Sequence, residues 1–556
     1  MLCKRQSILA AAVTAMLATA ASAQAQSVLT HHVRDALTNG EAQAVTHMAP
    51  DALLNLDIVL ALRDQAGLDA FLDDLYDPSS KNYKQFLTPA EFVDRFGPTA
   101  HDYDAVLAYA KAHGFTVTGG SHLGMEIQVR GPVSAVEAAF HVKMQSFKLA
   151  GDSVTRFAPD REPTTDLAIK LWHVSGLNNL SMPHPMVVSK TAYAAAQGID
   201  PAAVSPDATV GSGPSASFLG SDMRAAYYGG TALTGAGQNL GLFEYVGTDL
   251  ADLSTYYKNV GQTNTVPITV LSTDGTSTSC LAADGCDDTE QTLDMTQSLG
   301  MAPGLASLVM YVGSVDTAII SAMTTHSPLP TTIGCSWGWR PDDPTTLDPY
   351  FERMAAQGQN FFVASGDSST WKKSNYPWPA EDPHVVTVGG TDLETKSAAG
   401  PWASETGWVD GGGGISPDKL AIPSWQKIAG VVTSTNKAST TYRNGPDVSA
   451  NANFTFYTCA DQTSCLANEY GGTSFAAPMW AAYIALVNEQ RANNGKAGLG
   501  FLNPIIYPLN VKAASYAKGF HDITKGTSGS YTAVKDYDLV TGWGSPKPGL
   551  IDELAP

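Results

Sequence analysis

Ser474 is the residue whose surroundings most suggest nucleophilic chemistry. It stands in EYGGTSFAAPMWAAYIALVNEQ, where two glycines precede Thr473 and an apolar, helix-like run follows. Glycines allow another chain to approach closely, and the first turn of a helix offers unpaired amides that can bind an oxyanion. Serine at the start of a helix is more commonly an N-cap, so the residue type alone decides nothing.

A serine nucleophile needs a base, and the histidines are poorly placed to supply one. After residue 190 the chain has only His326, His384 and His521, and none stands in an HGT-type motif. A catalytic triad with histidine is therefore poorly supported.

Two carboxyls offer an alternative base. Glu290 and Asp294 lie four residues apart in DDTEQTLDMTQSLG, a spacing that puts both on one face of a helix. Most such pairs are solvated surface charges. Inside a cleft, their repulsion would make them share a proton. The pair could then accept the proton of Ser474 in acid, where imidazole is already protonated.

Asp367 is a third carboxyl of interest, because it follows the apolar, strand-like run NFFVASG. It could simply cap the next turn. If it faces a substrate carbonyl instead, it must be protonated to donate a hydrogen bond, and an apolar site can hold a carboxyl neutral for that purpose. Acid makes this requirement easier to meet.

The charge balance restricts the class of protein. The chain has 53 Asp and Glu against 33 Lys and Arg among 556 residues, a formal charge of −20. This excludes a nucleic-acid-binding surface, whose phosphate contacts need clustered Lys and Arg. It suits an acidic medium, where carboxylates are neutralised and few basic groups remain to repel one another. The length predicts two or more domains.

The first 25 residues have the pattern of a secretory signal peptide. Two basic residues precede the apolar run 8–20, and small residues follow up to Ala25. No later stretch is long and apolar enough to span a bilayer. We therefore expect a secreted protein, with the medium or a periplasm as its destination and no membrane attachment.

Export implies an oxidising environment, in which closely spaced cysteines form disulfides. Cys280 and Cys286 make one close pair and Cys459 with Cys465 another, while Cys335 stands alone in the apolar segment TTIGCSWG. The CxxxxxC spacing is also a weak zinc signal, but no paired histidines accompany it. We expect two short disulfide loops and one buried free thiol.

Two regions of different pattern follow the signal peptide. Residues 26–190 mix helical spacing, as in YDAVLAYAKAHG, with short strands such as MEIQVRG, which predicts a small α+β domain. Residues 191–215 are rich in Ala, Gly, Pro and Ser, and we interpret them as a linker that contains the activation cleavage. Residues 216–556 alternate apolar strands such as NLGLFEY and ASLVMYV with helical segments. That alternation predicts an α/β domain with a parallel sheet, helices on both faces and a site at the carboxyl ends of the strands.

Many motifs, in order, make the chain after the signal peptide resemble the sedolisin family, the serine-carboxyl peptidases. DPSSKNYKQFLTPAEFVDRFGP, GFTVTGG and VEAAFHVKMQSF are similar to the family's activation domain. TEQTLD, SWGW, ASGDSS, PAEDPHVVTVGGTD, GGGGIS, GPDVSANA, GGTSFAAP and DYDLVTGWGSP are similar to its peptidase domain. The resemblance implies a subtilisin-like parallel sheet preceded by a ferredoxin-like prosegment domain.

The resemblance also implies roles for the candidate residues. Ser474 would be the nucleophile, with Glu290 as base and Asp294 as the partner that shares its proton. Asp367 would be the acid of the oxyanion hole, and Trp337 of SWGW would support the carboxyls. The protein would then be a monomeric, acid-acting endopeptidase of proteins or peptides. It would be made as a self-processing precursor that its own prosegment inhibits.

The family carries one structural calcium ion near its C-terminus, and FHDIT and VKDYDLVTGWGSP are similar to that region. By this resemblance the ligands are the carboxylates of Asp522 and Asp538 and the carbonyls of Ile523, Val534 and Asp536. Calcium takes six to eight oxygens, so water would complete the shell. The family usually has glycines where Val534 and Asp536 stand.

Three alternative functions are an exopeptidase, a non-catalytic binding protein and a metallopeptidase. The same mechanism could serve a tripeptidyl-type exopeptidase, since the motifs do not define the substrate loops. A non-catalytic homologue that only binds peptides is disfavoured by the four intact candidate residues. A metallopeptidase is disfavoured because the chain contains no HExxH string.

The histidines are concentrated in the predicted prosegment. Nine of the twelve precede residue 190: His31, His32, His47, His101, His113, His122, His141, His173 and His184. A chance excess at the surface explains this as well as a function does. The functional hypothesis is that some lie at an interface and loosen it as they become charged between about pH 7 and 5.

Overall fold

The computed structural model describes residues 26–149, 154–204, 210–340, 343–462 and 464–556. The predicted signal peptide lies outside the described residues. An N-terminal α+β domain is followed by a connecting segment and a larger α/β domain. Within the described ranges, no helix has the length and apolar character needed to cross a bilayer.

Short strands and helices alternate in the N-terminal domain. Its strands are β1 Gln26–Ser27, β2 Ala42–His47, β3 Leu53–Leu60, β4 Thr116–Ser121, β5 Glu126–Pro132, β6 Met144–Leu149, β7 Arg156–Pro159, β8 Thr164–Thr165 and β9 Leu171–Ser175. Its helices are α1 Asp35–Thr38, α2 Gln65–Tyr76, α3 Pro89–Arg95, α4 Ala100–Ala112 and α5 Val133–Phe140.

The main sheet of this domain has the order β4-β5-β3-β9, and every pairing in it is antiparallel. Helices α2 to α4 connect β3 to β4, and α5 follows β5. This is the βαββαβ arrangement of a ferredoxin-like domain, which confirms the predicted fold. The alternating buried residues of β3 and β5, such as Leu56, Ile58 and Val129, form its core with Val136 and Phe140 of α5.

The segment between the domains contains β10 Met182–Pro185, β11 Val188–Ser189 and α6 Lys190–Gln197. The predicted linker is therefore partly helical. Ser189 caps the first turn of α6, Gly198 ends it in a left-handed conformation, and the alanines between them favour a helix. Ala194 and Val204 pack in a cluster with Trp408 of the larger domain. The boundaries 190/191 and 215/216 stay predictions.

The larger domain contains more elements around one sheet. Its strands are β12 Asn239–Glu244, β13 Ile268–Ser272, β14 Ser307–Val312, β15 Thr332–Cys335, β16 Trp337–Arg340, β17 Asn360–Ala364, β18 Val386–Thr395, β19 Trp402–Gly407, β20 Gly414–Ile415, β21 Asn444–Gly445, β22 Val448–Asn451, β23 Tyr457–Ala460, β24 Ser464–Ala467, β25 Tyr470–Gly471, β26 Phe520–His521, β27 Thr527–Ser528, β28 Tyr531–Thr532 and β29 Ser545–Pro546. Its helices are α7 Gly220–Tyr227, α8 Leu250–Asn259, α9 Thr289–Met301, α10 Asp316–Thr325, α11 Asp348–Gln357, α12 Ala476–Asn493, α13 Asn503–Asn510, α14 Ala513–Gly519 and α15 Gly549–Leu554.

Its central sheet has the order β13-β14-β12-β15-β17-β18-β19, with β22 also paired to β18. All pairings are parallel except that of β18 with β19. The strands are continuous apolar runs because helices cover both faces. Helices α9 and α12 pack against each other and are buried over nearly their whole lengths. The predicted subtilisin-like sheet is confirmed.

Both predicted disulfides are present. Cys280 is bonded to Cys286 and Cys459 to Cys465, and Cys335 is a buried free thiol in β15.

The two domains share an apolar contact. Helices α2 and α3 lie against α11, and residues of all three helices belong to one hydrophobic cluster. The indole of Trp172 donates a hydrogen bond to the carbonyl oxygen of Thr346 in the larger domain, over 2.9 Å. His173, the next residue of β9, stacks on His32 with ring centroids 4.5 Å apart, and both residues are buried.

Candidate active site

Ser474 lies in a short 3-10 turn, Thr473–Phe475, that connects β25 to α12. The turn is possible because Gly472 adopts a φ of +141°, which side chains rarely allow. A Cβ at this position would also lie 2.2 Å from the carbonyl oxygen of Met186. The glycine therefore lets another segment of the polypeptide pass directly over Ser474, which is fully buried.

Glu290 and Asp294 lie one turn apart on α9, as predicted, and both are buried. Burial raises the pKa of Glu290 well above its usual value, and the negative charge of Asp294 raises it further. Burial likewise raises the pKa of Asp294. Two neighbouring carboxyls in such surroundings hold a proton between them and do not ionise together.

The Ser474 hydroxyl stands near this pair. The Ser474 hydroxyl opposes the rise in the pKa of Glu290. Among the described residues, neither carboxyl oxygen of Glu290 has a hydrogen-bond partner of good geometry. Ser474 Oγ instead makes a long contact of 3.5 Å with the carbonyl oxygen of Ser336. The Ser336 hydroxyl donates to Asp294 Oδ1 over 2.7 Å. Catalytic hydrogen bonds are often long before substrate is positioned, so this long contact is compatible with Glu290 as the base.

Trp337 contacts the carboxyls at one end of the group, through Glu244. Its indole N–H donates to Glu244 Oε2 over 2.9 Å and so reaches Asp294 only through a further carboxyl. Glu244 ends β12 and is fully buried. Burial, and then the charge of Asp294, raises the pKa of Glu244 well above its usual value. Glu290, Asp294 and Glu244 thus form a row of three buried carboxyls near Ser474.

Sequence reasoning missed Glu244 and Ser336. Each had one usable signal: Glu244 ends the apolar strand NLGLFE, and Ser336 follows the apolar strand TIGC. Polar residues at the carboxyl ends of parallel strands tend to line the site.

Asp367 lies in the loop after β17 and contacts Thr473, the residue before Ser474. Its Oδ1 accepts hydrogen bonds from the backbone N–H of Thr473, over 2.9 Å, and from the Thr473 hydroxyl, over 2.8 Å. Its Oδ2 is buried and has no partner among the described residues. Burial raises the pKa of Asp367 to about 7, so the group is protonated in acid. The proton then belongs on the unpaired Oδ2.

The chain's own segment 182–189 crosses Ser474. On one side β10 pairs antiparallel with β16, and on the other β11 pairs antiparallel with β25. Between these strands the N–H of Met186 donates to the carbonyl oxygen of Ser336, over 2.8 Å. The N–H of Ser474 donates to the carbonyl oxygen of Met186, over 3.1 Å. A peptide carbonyl is therefore bound at the nucleophile by a backbone amide.

The five residues expected to bind calcium lie in one loop region. The N–H of Asp536 donates to Asp522 Oδ1, and the N–H of Val534 donates to Asp538 Oδ2. Asp536 has a left-handed φ of +66°, which a short polar side chain tolerates, whereas Val534 has no such conformation. Burial raises the pKa of Asp538 to about 7. Across the described residues, no cluster of three or more His, Cys, Asp or Glu has ligand geometry, so an ion here would depend on carbonyl oxygens.

Known proteins with similar sequences indicate the family of this chain. A family model described as "Pro-kumamolisin, activation domain" matches residues 41–179, and the "Subtilase family" model matches residues 248–505. Kumamolisin of Bacillus sp. (strain MN-32) is 29% identical over 488 residues, which cover 83% of this chain and 82% of that protein. Tripeptidyl-peptidase 1 of Canis lupus familiaris is 31% identical over 237 residues, 37% of this chain and 38% of that protein.

The structural comparison points to the same relatives. The structure of Pseudomonas sedolisin, a serine-carboxyl proteinase complexed with pseudo-iodotyrostatin, is similar with a TM-score of 0.51 and 25% identity, covering 62% of this chain and 97% of that chain. The chain belongs to the sedolisin family. This sedolisin is a serine-type peptidase, a hydrolase, and its N-terminal domain is an activation prosegment. The segment over Ser474 comes directly after the residues that the activation-domain model matches.

Proposed function

We propose that this sedolisin is a secreted, acid-acting endopeptidase that is made as a self-processing precursor. One observation carries the proposal: Ser474 binds the carbonyl of Met186 within a chain that continues in paired strands on both sides. A bond in the middle of a polypeptide therefore occupies the position in which a substrate bond would react.

In this proposal Ser474 attacks the substrate carbonyl while its proton moves to Glu290. Asp294 shares the proton that Glu290 gains, which spreads the charge over two buried carboxyls. Ser336 fixes Asp294 through its hydroxyl, and Glu244 extends the row behind it. Glu290 later returns the proton to the departing amine, as a general acid.

The oxyanion that forms is stabilised from two directions. The N–H of Ser474 already donates to the carbonyl oxygen at this place. Protonated Asp367 supplies a second donor from Oδ2, since Oδ1 is held by Thr473. Removing one such donor from an oxyanion hole typically costs about 10² to 10³ in kcat.

The acid requirement follows from the opposite states of two carboxyls. Glu290 must accept a proton, and Asp367 must keep one. Because burial raises the pKa of Asp367 to about 7, its donor role is lost as the pH rises through that value. An imidazole base would be protonated in the working range. The two carboxyls titrate as a unit, and the form of the pair that holds a single proton can accept the proton of Ser474.

The cleft favours endopeptidase over tripeptidyl-peptidase action. Upstream of Met186, four further residues of β10 pair with β16, and the chain continues beyond them into the prosegment. A tripeptidyl-peptidase needs a barrier after the third residue on this side. In this precursor the chain runs past that position in β10, paired with β16.

The C-terminal loop is proposed to hold one structural calcium ion. Asp522 and Asp538 would supply carboxylates, and Ile523, Val534 and Asp536 carbonyls. The donor chemistry fits a hard cation, because all five donors are oxygens. Burial raises the pKa of Asp522, and the charge of Asp536 adds to that effect, which a cation would offset.

Secretion rests on the N-terminal pattern of residues 1–25 and is supported by two disulfides, which form outside reducing compartments. The destination is the medium, with a periplasm as the alternative. The proposed partners are protein or peptide substrates and the enzyme's own prosegment, acting on a monomer.

The test uses the whole precursor and a Ser474→Ala variant, purified near neutral pH and then acidified to about pH 4. Wild type should shorten itself and then cut a denatured protein internally, giving fragments of many lengths. Ser474→Ala should fold, stay full length and be inactive. Release of tripeptides alone would assign the enzyme to the exopeptidases. A Ser474→Ala variant with normal turnover would contradict the mechanism.

A further inference from the structure

The place where the prosegment crosses the nucleophile defines one peptide bond. Ser474 binds the carbonyl oxygen of Met186, and the bond that follows this carbonyl joins Met186 to Val187. We infer that Met186–Val187 is the first bond that the protein cuts in itself, and that the slot holding the Met186 side chain selects a long apolar residue, unbranched at Cβ, before the bond that is cut. This inference rests on the proposed function and names its first substrate.

The backbone contacts fix the register of the crossing segment. Residues on the upstream side pair with β16 so that His184 faces Gly338 and Pro185 faces Trp337. On the downstream side Val188 faces Gly471. An antiparallel strand ahead of the carbonyl and a second one after it hold the segment as an extended peptide across the site.

The sequence of the segment resists a shift in this register. The N–H of Met186 donates to Ser336 at the reacting position. A shift by one residue in one direction would place Pro185 there, which has no N–H to donate. A shift in the other direction would place Val187 there, with a branched Cβ at the mouth of the slot. Met186 therefore has both features that the position needs: a backbone N–H for Ser336 and a side chain unbranched at Cβ for the slot.

The slot itself is formed by two glycines and a proline. A Cβ added to Gly338 would lie 2.6 Å from Met186 Cε and 2.4 Å from Pro377 Cβ. A Cβ added to Gly366 would lie 2.9 Å from Pro377 Cδ and 3.9 Å from Met186 Sδ. The outer half of the methionine thus runs between glycine backbone and a proline ring, and only 4% of the residue is exposed.

These walls determine which side chains fit. Glycine and proline offer no side-chain donor or acceptor, so a polar or charged group between them would lose its water without replacement. A β-branched side chain widens at the mouth and does not reach the depth at which Sδ and Cε lie. Long, flexible apolar chains fill such irregular spaces well.

The chemical step is an acyl transfer followed by hydrolysis. Ser474 Oγ bonds to the carbonyl carbon of Met186, and its proton moves to Glu290. The bond from that carbon to the nitrogen of Val187 breaks, and the nitrogen leaves as an amine with the proton from Glu290. Water then attacks the ester, gives a proton to Glu290 and releases Met186 as a carboxylic acid, while Ser474 regains its proton. One water is consumed, and no atom changes its oxidation state.

The test acidifies the full-length precursor and identifies the first new N-terminus by mass spectrometry. We expect Val187 there, with a first-order rate that stays constant on about a hundredfold dilution, since the bond lies in the same molecule. Val187→Pro should block this cut, because a proline amide replaces the bond. Met186→Leu should be processed, and Met186→Gln, of similar length but polar, should be processed at least about tenfold more slowly.

A second measurement does not depend on the folding of variants. The activated enzyme is given peptides that differ only in Met, Val or Gln before a central bond. Cleavage after Met should exceed cleavage after Val or Gln by at least about tenfold in kcat/KM. Equal rates would overturn the assigned selectivity. A first N-terminus elsewhere, for example within 191–215, with normal activity on peptides would overturn the inference and leave the proposed function intact. No acid activity on any peptide would contradict the proposed function itself.

Discussion

Trp337 donates its indole N–H to Glu244 across 2.9 Å, and this contact adds a third carboxyl to the pair on α9. The row of Glu244, Asp294 and Glu290 is buried throughout. Asp294 raises the pKa of both glutamates, whereas hydrogen bonds with the two glutamates oppose the rise that burial causes at Asp294. The proton that leaves Ser474 therefore enters a shared system.

Replacing Glu244 should therefore change the pH profile more than substrate binding. The negative charge of Glu244 raises the pKa of Glu290, and Glu244→Gln removes that charge. The pKa of Glu290 should fall, and the acid limb of kcat/KM should move to lower pH, with KM nearly unchanged. Glu244→Asp keeps the charge and serves as the control. A profile that is identical in wild type and Glu244→Gln would remove Glu244 from the catalytic row.

Asp367→Asn should extend activity toward neutral pH. Asparagine can accept the two hydrogen bonds from Thr473 on Oδ1 and donate from the nitrogen that replaces Oδ2. Wild type loses its donor as the pH rises through about 7, because that is the pKa to which burial raises Asp367. The alkaline limb should disappear in the Asn variant, whereas Asp367→Ala should lose about 10² to 10³ in kcat in acid, where the wild type has its donor. An active Asn variant with an unchanged alkaline limb would exclude Asp367 from this role.

His173→Gln should move the onset of self-processing to lower pH. Burial lowers the pKa of His173 well below its usual value, and the charges of His32 and Arg34 lower it further. Burial also lowers the pKa of His32, against the opposing effect of Glu162.

The lowered pKa values of the two histidines determine how folding stability changes with pH. When the pKa of a histidine is lower in the folded than in the unfolded state, the folded protein becomes less stable as the pH falls below about 6.5. Protonation of the stacked rings should thus loosen the domain beside its Trp172 contact. Processing is followed by gel electrophoresis across a pH series, with the exposed His101→Gln as control. If His173→Gln and His101→Gln start to process at the wild-type pH, this histidine pair does not control activation.

Calcium should stabilise the folded enzyme. A ligand at about 100 times its Kd adds about 2.7 kcal/mol to the free energy of unfolding, which corresponds to several degrees in Tm. A chelator should lower the Tm of the wild type by that amount and leave Asp522→Asn nearly unaffected. This variant removes a charge and keeps an oxygen that can accept the hydrogen bonds of Tyr516 and Asp536.

The effect of the chelator should shrink in acid. Burial raises the pKa of Asp538 to about 7, so below that pH a proton competes with the ion for this carboxylate. Differential scanning calorimetry at two pH values checks both points. Equal responses of wild type and Asp522→Asn, or no calcium in the purified enzyme by elemental analysis, would reject the site.

The sequence predicted those features that depend on local pattern. The runs NLGLFEY, ASLVMYV and NFFVASG became central strands, because a strand covered on both faces needs apolar residues throughout. The spacing of Glu290 and Asp294 was also visible, because a separation of four residues is a local pattern that places both on one helix face. Helix α6 was missed because its alanines favour a helix by propensity and show no apolar period.

Features that join distant parts of the chain could not be predicted in this way. The contact of Glu244 with Trp337 brings β12 next to β16, and the contact of Ser474 with Met186 brings the nucleophile to the prosegment. No local pattern specifies which residues of two separate strands will meet. Those pairs depend on how the folded chain brings separate elements together.

The two short strands that flank Met186 have a consequence for the latency of the precursor. Because segment 182–189 belongs to the same polypeptide as Ser474, it occupies the cleft at an effective concentration set by the connecting chain and not by the amount of protein. For short connections this concentration is of the order of millimolar, so even weak contacts keep out external peptides. Once the connection is cut, the same contacts face dilution into the surrounding volume. A modest affinity can thus be fully inhibitory before cleavage and ineffective after it.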